Sequence, residues 1–394
     1  MRRKSAYSVF VSIPTEEHAE RIKLEGLLSY AHEKRGSKWH LQIDDGGLLR
    51  HITSNFSSFH YDGVIAYVTS NVQRRELSKL SCPTVLIEDL QDPAEPIVRP
   101  NVATILCDHY EEGKRAALHL LSLHFRDFAW IGPTQKCLWA DRRRQGFADT
   151  IRAHGHTCRC YPMPHGEASR NFSVELPAMA KWLRRLPRPC ALFVCRDIRA
   201  RQVITAANIT GITIPDCLAV LGVDNDEIIC TTTTPSLSSV STSDRIIGYT
   251  AGRTLDRLLL GQAHGKVLRS NHPTVITRMS TDADAIRDPY VARALQFVRN
   301  HLSDKFDAQT LASHVKLPRQ ALQIRSGKVL GVTLGREIQR IRLAAAATAL
   351  LNTDSSVDMI AHECGFASTS YLSLKMKQAY GKTPLAYRNA HKIF

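Results

Sequence analysis

Apolar and polar positions along this 394-residue chain fall into two regimes. In the first, short near-continuous apolar runs alternate with longer segments of helical period. Tyr7 to Ile13, Trp39 to Ile43, Gly63 to Val68, Thr84 to Ile87 and Ala103 to Leu106 read as strands, and Glu16 to Lys34 as an amphipathic helix. A second series begins after Cys107. Helices are expected from Tyr110 to Leu123, Asp141 to Ala153, one ending near Leu186, Asp197 to Asn208 and Ser243 to Leu260. Between them lie strands at Phe128 to Ile131, around Thr157, at Ala191 to Cys195 and Leu218 to Leu221, with a last one at Thr274 to Thr277. Apolar strands separated by amphipathic helices predict parallel sheets covered on both faces. Nine or so strands exceed a typical single sheet, so two α/β lobes are expected.

The alternation fades after Val267, and Asp282, Asp284 and Asp288-Pro289 break the remaining periodicity. The spacing places a domain boundary near residue 285, dividing the chain into 1–284 and 285–394. Beyond it the period is helical throughout, beginning with Val291 to Leu302. Val357, Ile360, Ala361 and Cys364 fall at i, i+3, i+4 and i+7 behind Ser356 as N-cap. Gly365 ends that helix, and Ser368 caps a second with Leu372, Met376 and Ala379 on its buried side. Two short helices joined by a glycine turn are the helix-turn-helix signature, whose second helix enters the DNA major groove.

The pattern occurs twice. Ala308, Leu311, Ala312 and Val315, behind Asp307, repeat the spacing forty-nine positions earlier. Gly331-Val332-Thr333 matches Gly381-Lys382-Thr383 at an offset of fifty, so the second copy has one more residue in its turn. A helix from about 334 to 352 joins them, about 28 Å long at 1.5 Å per residue. Equivalent major-groove faces are about 34 Å apart. The rod therefore suits two reading helices on adjacent turns of one duplex.

Charge supports that reading. The formal net charge is +15, and from Pro289 onward fifteen Lys and Arg stand against six Asp and Glu. No stretch approaches 18 apolar residues, and the amino-terminal apolar run is short and followed by Glu16 and Glu17. A cytoplasmic protein without membrane contact is expected. Ten scattered cysteines, among them Cys107, Cys190 and Cys195 in strand patterns, read as buried thiols of a reducing compartment. His154, His156, Cys158 and Cys160 lack a usual structural-zinc spacing and read instead as a surface strand after a helix.

In open α/β sheets, ligands bind beyond the carboxyl ends of strands. Asp108, Asp197 and Asp224 stand at such ends. Each alone could cap the next helix. Converging carboxylates with a planar arginine opposite suit sugar hydroxyls, and Arg142-Arg143-Arg144 offers candidates. G-x-S-x-G, P-loop, G-x-G-x-x-G, C-x-x-C and H-E-x-x-H patterns are all missing, so nothing proposes an enzyme or a cofactor.

The C-terminal hundred residues resemble the AraC-type DNA-binding domain. Ala361-His-Glu-Cys-Gly-Phe366, Tyr371, Lys377, Tyr380-Gly381, Thr383-Pro384, Tyr387-Arg388 and Arg342-Leu343 carry the likeness. Residues 7 to 280 are similar to the LacI/GalR-type sugar-sensing domain, through HLLSLHFRDFAWIG, Arg143-x-x-Gly146-Phe147, Ile214-Pro215, Val220 to Asp224 and Thr234 to Val240. The resemblance implies a two-lobed periplasmic-binding-protein-like sensor fused to an all-α domain with two helix-turn-helix motifs. It places Arg143 and Asp224 on ligand positions, with Asp197 at the neighbouring strand end and Arg196 where relatives often have Asn. It implies a homodimer that binds promoter DNA, activates transcription through RNA polymerase, and takes a xylose-like pentose, D-xylose, as ligand.

On the first recognition helix Arg319, Gln320 and Gln323 have the chemistry for guanine and adenine edges. Thr369, Ser370, Ser373 and Leu374 hold the corresponding places on the second. Arg340, Lys375, Lys377 and Lys382 are expected at phosphates, which position without specifying. Ser326 replaces a usual core Phe and is followed by Gly327, which costs about 1 kcal/mol relative to Ala in a helix interior. A less well packed first motif is expected. A repressor of the same architecture, a sugar-transport component and a carbohydrate enzyme are the competing readings; export and turnover would mark the last two.

Overall fold

A computed structural model of the chain describes residues 6–33, 38–44, 61–90, 97, 99–269, 273–282, 288–304, 306–330, 332–353 and 355–391. The expected boundary near residue 285, Asp284, and Gly331 of the repeat comparison lie outside the described residues. Compactness divides the chain into two units. The first comprises Met1–His119, Asp127–Ile214 and Leu218–Thr281; the second Leu120–Arg126, Pro215–Cys217 and Asp282–Phe394.

The first unit begins with β1 (Ala6–Ser12), α1 (His18–Glu33), β2 (Lys38–Asp44), β3 (Gly63–Val68), α2 (Asn71–Leu77), β4 (Thr84–Glu88) and β5 (Val102–Leu106). Next in chain order are α3 (His109–Ser122), β6 (Asp127–Ile131), α4 (Leu138–Ala153), β7 (Cys158–Cys160), α5 (Phe172–Arg184), β8 (Cys190–Val194) and α6 (Asp197–Ile209). Then come β9 (Leu218–Val223), α7 (Glu227–Thr232), β10 (Ser238–Ser241), α8 (Asp244–Leu259), β11 (Val267–Arg269) and β12 (Thr274–Ile276). The strands form two six-stranded sheets, ordered β11-β5-β4-β3-β1-β2 and β12-β10-β9-β8-β6-β7. Every neighbouring pair is parallel except β10 with β12. β3, β4, β8 and β9 are buried along their whole length, and apart from Thr84 and Glu88 at the two ends of β4 their residues are apolar on both faces, which is why they stood out in the sequence.

The two-lobed α/β expectation is borne out, with corrections of detail. Four elements escaped the hydrophobic pattern: α2, α7, β10 and β11. The ten cysteines are all unpaired; Cys190 and Cys195 are buried, while Cys158 and Cys160 sit on the edge strand β7. No helix among the described residues is long and apolar enough to cross a membrane.

The second unit contains α9 (Pro289–Asn300), α10 (Ala308–Val315), α11 (Arg319–Leu330), α12 (Leu334–Asn352), α13 (Val357–Glu363), α14 (Thr369–Tyr380) and α15 (Pro384–His391). The repeat has the expected register: α10 and α13 start forty-nine residues apart, α11 and α14 fifty. Asp307, Ser356 and Ser368 cap their helices as expected, accepting from the amides of Thr310, Met359 and Tyr371. The helices make two cores. One gathers Val291, Leu295, Leu311, Val315 and Leu322 with Leu334 and Ile341; the other gathers Ile360, Phe366, Leu372 and Met376 with Leu343, Ala346 and Leu350. Each half of α12 therefore completes a different motif. Ala379, expected on the buried side of α14, is exposed; Leu372 and Met376 are the buried residues of that helix.

Gly365 is fixed by geometry. Its φ is +72°, and a Cβ there would meet the Leu302 carbonyl oxygen at 2.0 Å and the Arg342 guanidinium at 2.7 Å. Arg342 in turn donates to the carbonyl oxygens of Gly365 and Asp304, at 3.0 and 2.8 Å. Buried Arg388 donates to those of Leu350 and Ser355, at 3.2 and 2.5 Å. Arg342 thus ties α12 to the turn of the second motif and to the segment ahead of the first, and Arg388 ties α15 to the end of α12 and the start of the second motif.

The first motif carries a defect at Ser326, which is fully buried with a hydroxyl that has no hydrogen-bond partner. Gly327 beside it has open space where a Cβ would lie. An unsatisfied buried hydroxyl costs about 1–3 kcal/mol and a mid-helix glycine about 1. Ser326→Ala with Gly327→Ala should therefore stabilise the full chain by about 2 kcal/mol in denaturant unfolding of the second unit. In the unaltered, DNA-free chain, amides 318–330 should exchange faster than 368–379. Equal or better protection of the first segment would contradict this account.

Candidate functional site: a charged cleft and paired helix-turn-helix motifs

The parallel strands of the first unit point their carboxyl ends at a cleft enclosing about 90 Å³. Glycines set the helices that wall it. A Cβ on Gly113 would lie 1.9 Å from the Arg143 carbonyl oxygen, and one on Gly146 would lie 2.0 Å from that of Tyr110. α3 and α4 thus cross backbone to backbone, which brings Arg143 beside Glu112. Gly26 and Gly248 do the same for α1 and α8 and bring Lys23 within 2.5 Å of Asp244.

Arg143 donates from Nε to Glu112 at 2.6 Å and from Nη1 to the Cys195 carbonyl oxygen at 2.8 Å; its Nη2 lies 3.7 Å from Asp224. Arg196 donates to Asp224 at 3.1 Å and to Glu17 at 2.9 Å. His109 bridges Asp89 at 3.0 Å and Glu112 at 3.1 Å, and Tyr67 donates to Asp89 at 2.8 Å. Trp139 lies against both guanidinium groups, 4.9 Å from Arg143 and 5.8 Å from Arg196. Asp224 and Asn225 hold positive φ values of 107° and 50°, a strained turn. It is pinned by Asp224 N–H to Val240 O, Asn225 N–H to Ser239 Oγ, and Arg278 to the Asn225 side chain.

Of the four expected ligand residues, Asp108, Arg143 and Asp224 line the cleft; Asp108 also accepts from the Glu111 amide and so caps α3. Asp197 does not line it, which corrects the expectation. Its carboxylate accepts from Ser239 Oγ, the Asp226 amide and Cys230 Sγ, and it is 1 % exposed. It braces the loop after β9 rather than facing the cleft. Glu17, Glu20, Lys23, Asp89, His109, Glu112, Trp139, Arg196 and Asp244 line the cleft and were not proposed as ligand positions. The strand-end rule, applied to β4 and β10 as it was to β5, β8 and β9, would have reached Asp89 and Asp244.

Burial would lower His109, but Asp89 and Glu112 outweigh it and hold the imidazole at about 9. Burial would likewise raise Glu112, yet Arg143 and His109 bring it to about 2. Burial and then Asp224 push Asp197 up to about 8, against its three donors. With His109 charged, seven carboxylates face four cations in the cleft. An anionic ligand would meet net repulsion, whereas a neutral polyol finds acceptors and donors together.

In the second unit Arg319, Gln320 and Gln323 are exposed on α11, as are Ser370 and Leu374 on α14; Ser373 is half-buried. Thr369 donates its hydroxyl to Asp358 at 2.6 Å. Lys377 is exposed, Lys382 half-buried, and Lys375 lies over the Tyr371 ring at 5.4 Å. Arg340 differs from the expectation of a cation open to phosphate. Its Nε and Nη2 both donate to Glu337, at 2.9 and 2.6 Å, because the two face each other one turn apart on α12. Among the described residues no group of three or more His, Cys, Asp or Glu could hold a metal ion.

Comparison with known proteins fits both halves. Residues 117–281 match a periplasmic binding protein-like domain and residues 311–390 a helix-turn-helix domain. The xylose operon regulatory protein of Escherichia coli (strain K12) is 28% identical over 376 residues, 94% of each chain. That of Haemophilus influenzae is 26% identical over 97% of this chain and 98% of its own. A solved structure of a xylose-binding transcription activator, xylR, superposes with a TM-score of 0.60 at 26% identity, covering 98% of this chain and 99% of that one. The resemblance read from the sequence is thus borne out over nearly the whole chain.

The charge chain through His109 makes stability depend on pH. The folded value of about 9 lies above the unfolded value of about 6.5, so its contribution is full below about pH 6.5 and is lost as pH rises through 9. That contribution is on the order of 3 kcal/mol. Glu112 acts in the opposite direction, losing its contribution as pH falls from about 4.5 toward 2. Thermal melts of the wild type should fall from pH 6.5 to 9 more steeply than those of His109→Gln. Parallel curves would refute the assignment.

Proposed function

We propose that this chain, a periplasmic-binding-protein-like sensor joined to two helix-turn-helix motifs, is a DNA-binding transcription regulator that responds to a neutral sugar, with a pentose such as D-xylose as its ligand. The observation that carries the reading is the cleft, where Asp224, Arg143 and Trp139 present an acceptor, a planar donor and an aromatic face among charges that disfavour anions. Arg143, Asp224 and Asp108 bind hydroxyls, and Asp197 positions the loop that carries Asp224. The sensor spans 1–284 and the DNA-binding domain 285–394. The protein acts by binding rather than by turnover, in the cytoplasm and as a homodimer.

Arg319, Gln320 and Gln323 read base edges from the first motif, and Thr369, Ser370, Ser373 and Leu374 from the second. Lys375, Lys377 and Lys382 meet phosphates, joined by Arg340 only if it leaves Glu337. Over nineteen residues α12 is about 28 Å long, which suits adjacent major-groove faces. Activation, with RNA polymerase as the further partner, requires the sugar to bind the DNA-competent state more tightly than the other. Weaker promoter binding with sugar would instead indicate a repressor.

Two measurements test this. In calorimetry with xylose, Asp224→Asn should weaken binding about ten- to a hundredfold, the loss of a hydrogen bond to a charged acceptor. If neither xylose nor any other neutral sugar stabilises the wild-type chain, the sensor reading is wrong. In duplex titrations over salt, Lys377→Ala should flatten the salt slope by about one ion, while Gln320→Ala should relax discrimination at a single base pair. Uniform loss across sequences for both variants would undo the division into readers and anchors.

A further inference from the structure

The sugar cleft continues into a second chamber. It encloses about 140 Å³ at the carboxyl ends of β4, β5 and β11, closed from the other side by the start of α4. Asp89, Cys107, His109 and Trp139 line both chambers. The floor of the second is Glu88, which is absent from the first. Glu88 is 4 % exposed, and neither carboxylate oxygen has a hydrogen-bond partner; the nearest cation, Arg74, stays 3.9 Å from Oε2. A buried carboxylate left in that condition is costly, and its four lone-pair sites call for donors. Burial pushes its carboxyl up to about 7 against the pull of Arg74.

The rest of the wall indicates which chemistry would satisfy it. Arg142, Arg269 and the charged His109 share the wall with Glu88 and Asp89, so the formal charges nearly cancel and neither a strong anion nor a strong cation is favoured. Leu90, Leu106 and Leu138 offer an apolar side, and Trp139 an aromatic ring at the junction. Donors, acceptors and a flat apolar surface are what a sugar ring needs, and the first chamber already has the same features.

We propose that the second chamber is a subsite for a further sugar ring, so that the effector is a neutral two-ring saccharide with one ring at Asp224 and Arg143 and the next against Glu88. The proposal rests on the sugar-sensing reading. Trp139 then serves as the shared platform, and Glu88 accepts hydroxyls of the outer ring. A single pentose fills only the inner chamber and leaves Glu88 without its donors.

The test is calorimetry on the full chain with xylose and xylobiose. Xylobiose should bind at least about tenfold more tightly than xylose, the worth of hydrogen bonds to a charged acceptor. Glu88→Gln should reduce that ratio below about threefold while leaving the xylose affinity within about twofold, because Glu88 does not touch the inner chamber. Arg269→Ala, at the exposed rim, should lower the ratio in the same direction and decides the matter if the Glu88 variant fails to fold. Xylose binding as tightly as xylobiose, or a ratio unchanged in both variants, overturns the subsite and leaves sugar sensing intact. Binding of neither sugar overturns the subsite together with the choice of xylose as ligand.

Discussion

Seven alternating charges, Glu17, Arg196, Asp224, Arg143, Glu112, His109 and Asp89, run as one chain of contacts through the cleft of the first unit. The rest of the site depends on it. Two inner members owe their charge to their neighbours: His109 stays protonated between two carboxylates, and Glu112 stays ionised between His109 and Arg143. Removing an inner member would strip its buried neighbours of one partner each, which is costlier than replacing a whole pair. The chain also crosses from α1 and β4 of one sheet to α4, β8 and β9 of the other, so the same contacts that fix the ionisation states fix the walls of the cleft.

Such an arrangement was legible only in part. Asp108 and Asp224 could be found because strand ends in parallel sheets converge on one edge, and the strands themselves announce their ends by near-continuous burial; Arg143 came from the arginine run on α4 and from the family resemblance. β10 did not, because its sequence is Ser-Ser-Val-Ser. Ser238 and Ser239 are fully buried there, with their hydroxyls bonded to the Arg278 carbonyl oxygen and to Asp197. Polar residues in a buried strand defeat a hydrophobic pattern, and with β10 unseen, Asp244 beyond it was unseen too. Asp197 shows the reverse failure. Its position at a strand end was right, but three local donors had already engaged its oxygens, and no spacing in the sequence reveals that.

In the second unit, the duplication was readable because both copies keep the same caps and the same apolar spacing. What the repeat does not convey is the difference in quality between the copies. The second is held by Gly365, whose place no side chain could take, and by two arginines that donate to main-chain carbonyl oxygens at its turn and its start. The first has a buried serine without a partner and a glycine beside open space. Sharing α12 between the two cores means the weaker motif is still oriented by the stronger one, since the rod cannot leave one core without disturbing the other.

Arg196 shapes the chemistry that this cleft presents. Its guanidinium donates to one oxygen of Asp224 and spans to Glu17. A carboxylate has about four lone-pair sites, and only one hydrogen bond is spent on Arg196, because Arg143 at 3.7 Å is an ion-pair neighbour outside hydrogen-bond reach. Asp224 therefore keeps capacity for hydroxyl donors without expelling the arginine. The guanidinium raises the cost of any ligand that brings its own cation and returns part of the attraction that seven carboxylates would otherwise give one. The charge of the cleft is thus set by the pairing of Arg196 with Asp224 as much as by the number of carboxylates, and this pairing leaves hydroxyl acceptors open where a bare carboxylate cluster would draw cations.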